Sequence, residues 1–93
     1  PIPTSANGAI IHRAEIRDIT GLPQLLDWAS DGDISIVNTR HLMNRKTEFN
    51  AVIEELAEFV ERDLGGEIVQ IGDSRILILP KGVRATQSAD ERR

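Results

Sequence analysis

The 93-residue sequence has no cysteine and no tyrosine, and its aromatic side chains are limited to Trp28, Phe49 and Phe59. The lack of cysteine excludes disulfide bonds, thiolate metal ligands and a thiol nucleophile from this chain. No apolar run approaches the roughly 20 residues of a membrane-spanning helix. Eleven Lys and Arg against 15 Asp and Glu leave a net charge of −4, so the chain lacks the basic footprint of a nucleic-acid-binding domain.

The remaining composition, 40% hydrophobic and 28% charged, is typical of one small globular domain. We place that domain at residues 9–85. Residues 1–8 hold two prolines and small polar residues and are predicted to be a flexible lead-in, and the polar residues 86–93 a flexible tail. Because the chain begins at Pro1 rather than Met, we expect it to be a piece of a longer protein.

Four segments have the patterns of strands. Alternating apolar side chains predict a strand over residues 9–16, and a compact β-branched run predicts another over 34–38. Residues 67–71 and 75–79 flank a Gly-Asp-Ser turn and predict a hairpin, which Pro80 ends by removing a ladder donor. A short edge strand over 81–85 would be a fifth.

Two segments have helical spacing. The first is predicted to begin at the N-cap Thr20 and to end near Gly32, and the second to begin at the N-cap Thr47 and to end at Gly65-Gly66. The apolar stripe of the first helix comprises Leu22, Leu25, Leu26 and Ala29. Residues 40–46 between them are predicted to be a polar connection.

The order βαβαββ predicts an α/β fold of the α+β sandwich type, with both helices on one face of a four- or five-stranded mixed sheet. The last strand is apolar on both faces, so the face without helices would expose apolar area worth about 25 cal/mol per Å². We therefore predict a homodimer that joins through the sheet, since a two-fold interface is self-complementary. Its predicted interface residues are Val69, Ile71, Leu77 and Leu79. A C-terminal segment folded over that face, or loops that cover it, would be the alternatives.

No pattern in the chain predicts catalysis, a metal site or a cofactor. His12 and His41 lie on different elements and lack metal-ligand spacing, and Gly65-Gly66 lacks the patterns of phosphate-binding loops. His41 belongs to a basic loop that is either solvated or contacts an acidic partner. Trp28 lies off the helix stripe and either flanks the core or anchors a partner.

Three segments together resemble one family. Ser35-Ile36-Val37-Asn38-Thr39 is similar to the V-I-V-N-L strand of the SepF cell-division proteins. Residues 59–71 resemble the stretch of that family from a D-F-L helix into A-L-G-G-x-I-x-x-I, and residues 76–80 resemble its closing F-L-x-x-P strand. The sequence Glu-Arg-Asp at 61–63, where bacterial relatives usually carry a glycine, looks more like the archaeal branch, whose members are expected to stay dimeric.

The resemblance implies an adaptor for cell division, not an enzyme. Such proteins bind the C-terminal tail of the tubulin-like protein FtsZ and tether it to the inner face of the cell membrane at the division site. The tether is an N-terminal amphipathic helix, which this fragment would lack. Candidate peptide-binding residues are those beside the sheet seam: Leu64, Gly65, Gly66, Ile68, Val69, Ile71, Arg75 and Lys81. A small dimeric ligand-sensing regulatory domain is the main alternative, and a small enzyme that uses one histidine is a third.

Overall fold

Within residues 10–86, which the computed structural model describes, four strands form one mixed sheet in the order β1-β2-β4-β3. The strands are β1 (Ile11–Glu15), β2 (Ile34–Asn38), β3 (Glu67–Ile71) and β4 (Arg75–Leu79). β1 and β2 are parallel, while β4 pairs antiparallel with both β2 and β3. The predicted α+β architecture is confirmed. The lead-in predicted at 1–8 and all but Thr86 of the tail predicted at 86–93 lie outside the described residues.

Two helices connect the strands. α1 spans Leu22–Ser30, and α2 spans Lys46–Leu56 and continues without a break into a π-helix at Ala57–Asp63. The π-helix widens the last turns, as the bond from the Leu64 N–H to the Phe59 carbonyl at 3.0 Å shows. Gly65, at φ +77°, then reverses the chain, as predicted.

Both predicted N-caps are wrong. The first helical turn is a 3-10 turn at Ile19–Gly21 that Asp18 caps, because its carboxylate accepts hydrogen bonds from the Thr20 amide and hydroxyl. These bonds hold the pKa of Asp18 below its usual value. Pro23 occupies the first turn of α1, as expected. α2 begins one residue before Thr47, at Lys46, and its cap residue Arg45 makes no side-chain capping bond.

The core lies between the two helices and one face of the sheet. Leu42, in the segment predicted to be a polar connection, is fully buried because a 3-10 turn at Arg40–Leu42 directs it inward. The core residues are Ile16, Leu22, Leu25, Ala29, Val37, Leu42, Val52, Leu56, Val60, Ile76 and Ile78. After Pro80 the chain turns at Gly82 (φ +90°), and residues 81–86 form no fifth strand.

The other face of the sheet, which we call the open face, carries no helix from residues 10–86. Strand alternation and register place on it the side chains of Ile11, Arg13, Glu15, Ile34, Ile36, Asn38, Glu67, Val69, Ile71, Arg75, Leu77 and Leu79. Ile11 and Ile71 are 57% and 43% exposed. Leu77 is half-buried, but Leu79 is only 4% exposed within the single chain. The expectation that a lone copy leaves Leu79 in water is therefore wrong.

Gly66 allows two backbone segments to approach each other closely. A Cβ placed there would lie 2.2 Å from the Leu79 carbonyl oxygen. We expect Gly66→Ala to lower the free energy of unfolding by about 3 kcal/mol, because the backbone has to move. The matched control is Gly72→Ala, which has φ +63° but open space around it and is expected to cost about 1 kcal/mol. Urea unfolding measures both, and equal losses would contradict the steric explanation.

Ser35 is fully buried on the helix-covered face of β2, and its Oγ has no hydrogen-bond partner among the described residues. A buried hydroxyl without a partner destabilises the folded state. We expect Ser35→Ala to raise the free energy of unfolding by up to about 1 kcal/mol. Val37→Ala, on the same face of the same strand, is expected to lower it by about 2 kcal/mol. Thermal unfolding compares the two, and a large loss for Ser35→Ala would show that the hydroxyl is satisfied.

Candidate functional site

A shallow apolar groove of about 280 Å³ runs between α2, the first π-turn and strand β3. Helical spacing places three of its residues, Phe49, Ile53 and Ala57, in line along the helix. All three are half-buried, so they offer apolar surface to a ligand while they remain anchored to the fold. The full lining is Phe49, Ile53, Ala57, Glu61, Ile68, Gln70 and Ile76.

One side of the groove is an edge strand. β3 is the last strand of the sheet order, and no described strand pairs with its outer edge. The Ile68 N–H instead donates a hydrogen bond of 3.2 Å to the Glu61 carboxylate on the π-helix. This bond ties the groove wall to β3 near its start. The remaining edge can accept an extended segment as an added strand.

The helix surface next to the groove is acidic. Glu54, Glu55, Glu58 and Glu61 line a shallow depression of about 560 Å³ together with Ala57 and Arg62. Arg62 is the nearest cation, and its guanidinium lies 3.5 Å from the Glu58 carboxylate. The rim therefore favours a ligand that combines apolar side chains with positive charge.

The predicted peptide-binding residues do not form one pocket. Ile68 lines the groove, whereas Leu64, Gly66 and Lys81 line a cavity of about 150 Å³ beside the end of α1. Gly65 borders another shallow surface with Glu67, Val83 and Arg84. The other predicted residues lie on the open face, since Val69 and Ile71 alternate with Ile68 along β3.

Sequence reasoning missed most of the groove. Phe49, Ile53 and Ala57 recur at intervals of four residues, and this spacing was visible in the sequence as one line along the helix. Gln70 and Ile76 could not be assigned to it, because their place depends on the pairing of β3 with β4.

A basic recess lies at one end of the open face. Arg13, Arg40 and Arg75 border a depression of about 410 Å³, whose other lining residues are Ala14, Glu15, Ile36 and Asn38. Among residues 10–86, none of the three arginines has a carboxylate within ion-pair distance. The recess concentrates positive charge on a chain whose net charge is negative.

Both histidines have structural partners. The His12 ring stacks on Trp28 with a centroid distance of 4.0 Å, and its Nε2 lies 2.8 Å from Oδ2 of Asp33. Trp28 therefore flanks the core, as one of the two alternatives expected. His41 Nε2 lies 2.8 Å from a carboxylate oxygen of Glu15, so its acidic partner is within this chain.

The described part of the chain contains neither a metal-binding cluster nor a membrane-spanning helix. No group of three or more His, Asp or Glu side chains there could hold a metal ion. None of the helices at residues 10–86 is long and apolar enough to span a membrane.

Comparison with known proteins identifies relatives across the fold. The family model for the cell division protein SepF matches residues 11–84. A cell division protein SepF from Haloferax volcanii is 35% identical over 77 residues, which are 82% of this chain and 64% of the relative. This chain thus spans slightly less than two thirds of that relative.

Solved structures share the fold. A SepF-like protein from Archaeoglobus fulgidus has a TM-score of 0.80 at 22% identity, and the match covers 85% of this chain and 94% of that protein. A SepF-like protein from Pyrococcus furiosus has a TM-score of 0.78 at 18% identity, over 86% and 96% of the two chains. The cell division protein SepF from Methanobrevibacter smithii, solved in complex with FtsZ-CTD, has a TM-score of 0.72 at 18% identity, over 84% and 98%.

Proposed function

The chain belongs to the SepF family of cell division proteins, and on that premise we propose that it is an adaptor for the C-terminal tail of FtsZ. The observation that carries the proposal is the apolar groove between α2 and the free edge of β3. The Methanobrevibacter relative with this fold was solved with FtsZ-CTD, which makes that tail the first ligand to test.

The groove suits a short amphipathic peptide. Apolar side chains of the peptide would pack on Phe49, Ile53 and Ile68, and its backbone would run along the edge of β3 that pairs with no described strand. Basic residues of the peptide would face the acidic surface formed by Glu54 and Glu58. Of the residues expected from the sequence, Ile68 contacts the peptide in this arrangement.

The other residues expected at the peptide site do not line the groove. Leu64, Gly65 and Gly66 connect the π-helix to β3, and Lys81, which follows β4, lines the same cavity as Leu64 and Gly66. A peptide that continues past Ile68 along the β3 edge would reach them, with Lys81 available to an acidic residue of the tail. Val69, Ile71 and Arg75 belong to the open face and to the proposed dimer.

We propose the homodimer through the open face as part of this function. Ile11 and Ile71 are strongly exposed on that face, and Ile36, Val69 and Leu77 are half-buried between them. Contiguous apolar area of this kind normally marks an interface. Leu79, already buried within one chain, adds little to it.

The membrane tether is also a proposal. It follows from the family resemblance, which implies an amphipathic helix outside the present chain and a position at the inner face of the cell membrane at the division site. The Haloferax relative is longer than the matched region, so it has room for further segments.

Replacement of Ile53 by Glu tests the groove. The carboxylate would place charge on the apolar floor, so we expect Ile53→Glu to weaken binding of a synthetic FtsZ tail peptide at least tenfold, about 1.4 kcal/mol. Isothermal titration with the wild-type chain gives the reference. The control is Ile19→Glu, at an exposed isoleucine (43%) that does not line the groove, and it should bind like the wild type.

Two results would overturn the peptide proposal. One is the absence of binding by the wild-type chain at hundreds of micromolar peptide. The other is equal affinity of Ile53→Glu and the wild type. If the chain does not bind the peptide and a metabolite raises its melting temperature, the ligand-sensing alternative would be supported instead.

Replacement of Leu77 by Glu tests the dimer. Leu77 is central on the open face, where it lies between Ile36 and Val69 in the register of the sheet. We expect Leu77→Glu to yield monomers or aggregates in sedimentation velocity, since the carboxylate loses its water on association. Gln70→Glu, on the opposite face of the neighbouring strand, should leave the dimer unchanged. A folded, unchanged Leu77→Glu dimer would contradict the proposed interface.

A further inference from the structure

We propose that the two-fold axis of the dimer runs parallel to the strands between β2 and β4, so that Arg75 of each copy pairs with Glu15 of the partner subunit. This inference rests on the proposed sheet-to-sheet dimer and specifies its geometry. Its source is the distribution of charged and apolar side chains on the open face, which the register of the four strands fixes.

The register arranges the open face in rows that cross the strands. One row reads Arg13, Ile36, Leu77 and Val69 from β1 to β3, and the next reads Glu15, Asn38, Arg75 and Ile71. The centre of the first row is apolar, whereas the second row carries both a carboxylate and a guanidinium. Neighbouring strands are about 4.8 Å apart, and packed sheets are about 10 Å apart.

An axis along the strands between β2 and β4 places β2 opposite β4 of the partner and β1 opposite β3 of the partner. Ile36 then faces Leu77 of the partner subunit, and this contact occurs twice because of the symmetry. Apolar side chains meet apolar side chains at the centre of the interface. Packing with strands in nearly the same direction is also one of the two usual arrangements of stacked sheets.

The same axis gives partners to the arginines. Glu15 lies opposite Ile71 of the partner subunit. The partner's Arg75 is on the strand next to Ile71, and long side chains can span this sideways distance. Arg13 lies opposite Val69 of the partner subunit, two residues from the partner's Glu67. Arg13 and Arg75 have no carboxylate within ion-pair distance among residues 10–86, so association without these acids would bury uncompensated charge.

Glu15 remains able to accept a further donor. Its carboxylate already contacts His41 Nε2 at 2.8 Å and Arg17 at 4.0 Å, yet the side chain is 38% exposed. A carboxylate has about four acceptor positions, so another guanidinium can bind. Glu15 would then connect His41 of its own chain with Arg75 of the partner subunit.

An axis that crosses the strands fits the face less well. If this axis passes at the level of Arg13, the row that contains Arg13 lies opposite the same row of the partner. Arg13 then faces the partner's Arg13 at close range. In that arrangement the acid nearest to Arg75 is the partner's Glu67, so the two axes predict different ion pairs.

A charge-swap experiment distinguishes the two axes. We expect Arg75→Glu and Glu15→Arg each to raise the dimer dissociation constant at least tenfold in sedimentation equilibrium. The double variant, with both charges exchanged, should return to within about threefold of the wild type. The matched control is Arg62→Glu, at an exposed arginine on the π-helix, which should leave the dimer unchanged.

A second swap keeps the test independent of any folding defect at Glu15. Arg13→Glu should weaken the dimer, and Glu67→Arg added to it should restore the dimer, while circular dichroism confirms that each variant is folded. Recovery of Arg75→Glu by Glu67→Arg instead of Glu15→Arg would overturn the proposed axis. Unchanged dimers for all single variants would overturn it as well. A monomeric wild type would refute the dimer itself, which separates that failure from a wrong axis.

Discussion

Two helices can cover only one face of a four-stranded sheet, and this limit determines which surfaces of the chain remain for partners. The parallel β1-α1-β2 unit directs α1 to one side, and α2 packs on that same side. The covered face holds the closed core around Val37 and Ile78, while the opposite face retains exposed apolar and charged side chains. The surfaces available to partners are therefore the open face and the edge where α2 meets β3.

Most strand boundaries could be predicted from the sequence. The strands at 34–38, 67–71 and 75–79 have the bounds that their β-branched residues and flanking Gly, Asp and Pro indicate. The helix starts were harder to predict, because Asp18 and Thr20 are both suitable capping residues. The structure shows that Asp18 is the cap. The π-helix could not be predicted from the spacing of apolar residues, because that spacing predicts one continuous helix over the same residues.

The candidate site was harder to predict, because successive side chains of a strand point to opposite faces of the sheet. An error of one residue therefore assigns a side chain to the wrong face. Ile68 and Val69 are neighbours in sequence, yet one lines the groove and the other lies on the open face. Both are predicted at the peptide site because they lie beside the sheet seam, and apolar character does not tell them apart. The burial of Leu79 within a single chain likewise depends on tertiary packing, which strand alternation does not report. Sequence pattern therefore identifies apolar surface better than it identifies which surfaces meet.

The two proposed surfaces are compatible because they use different faces of the sheet. The groove is formed on the helix-covered side at the β3 edge, whereas the dimer uses the open face, with its axis between β2 and β4. β3 lies at the outer edge of each copy, so a dimer would expose two grooves that point away from each other. If the proposed function holds, one dimer could bind two FtsZ tails. When the two tails are linked, such bivalence raises the effective concentration of the second tail, so modest affinity at each groove suffices for stable attachment.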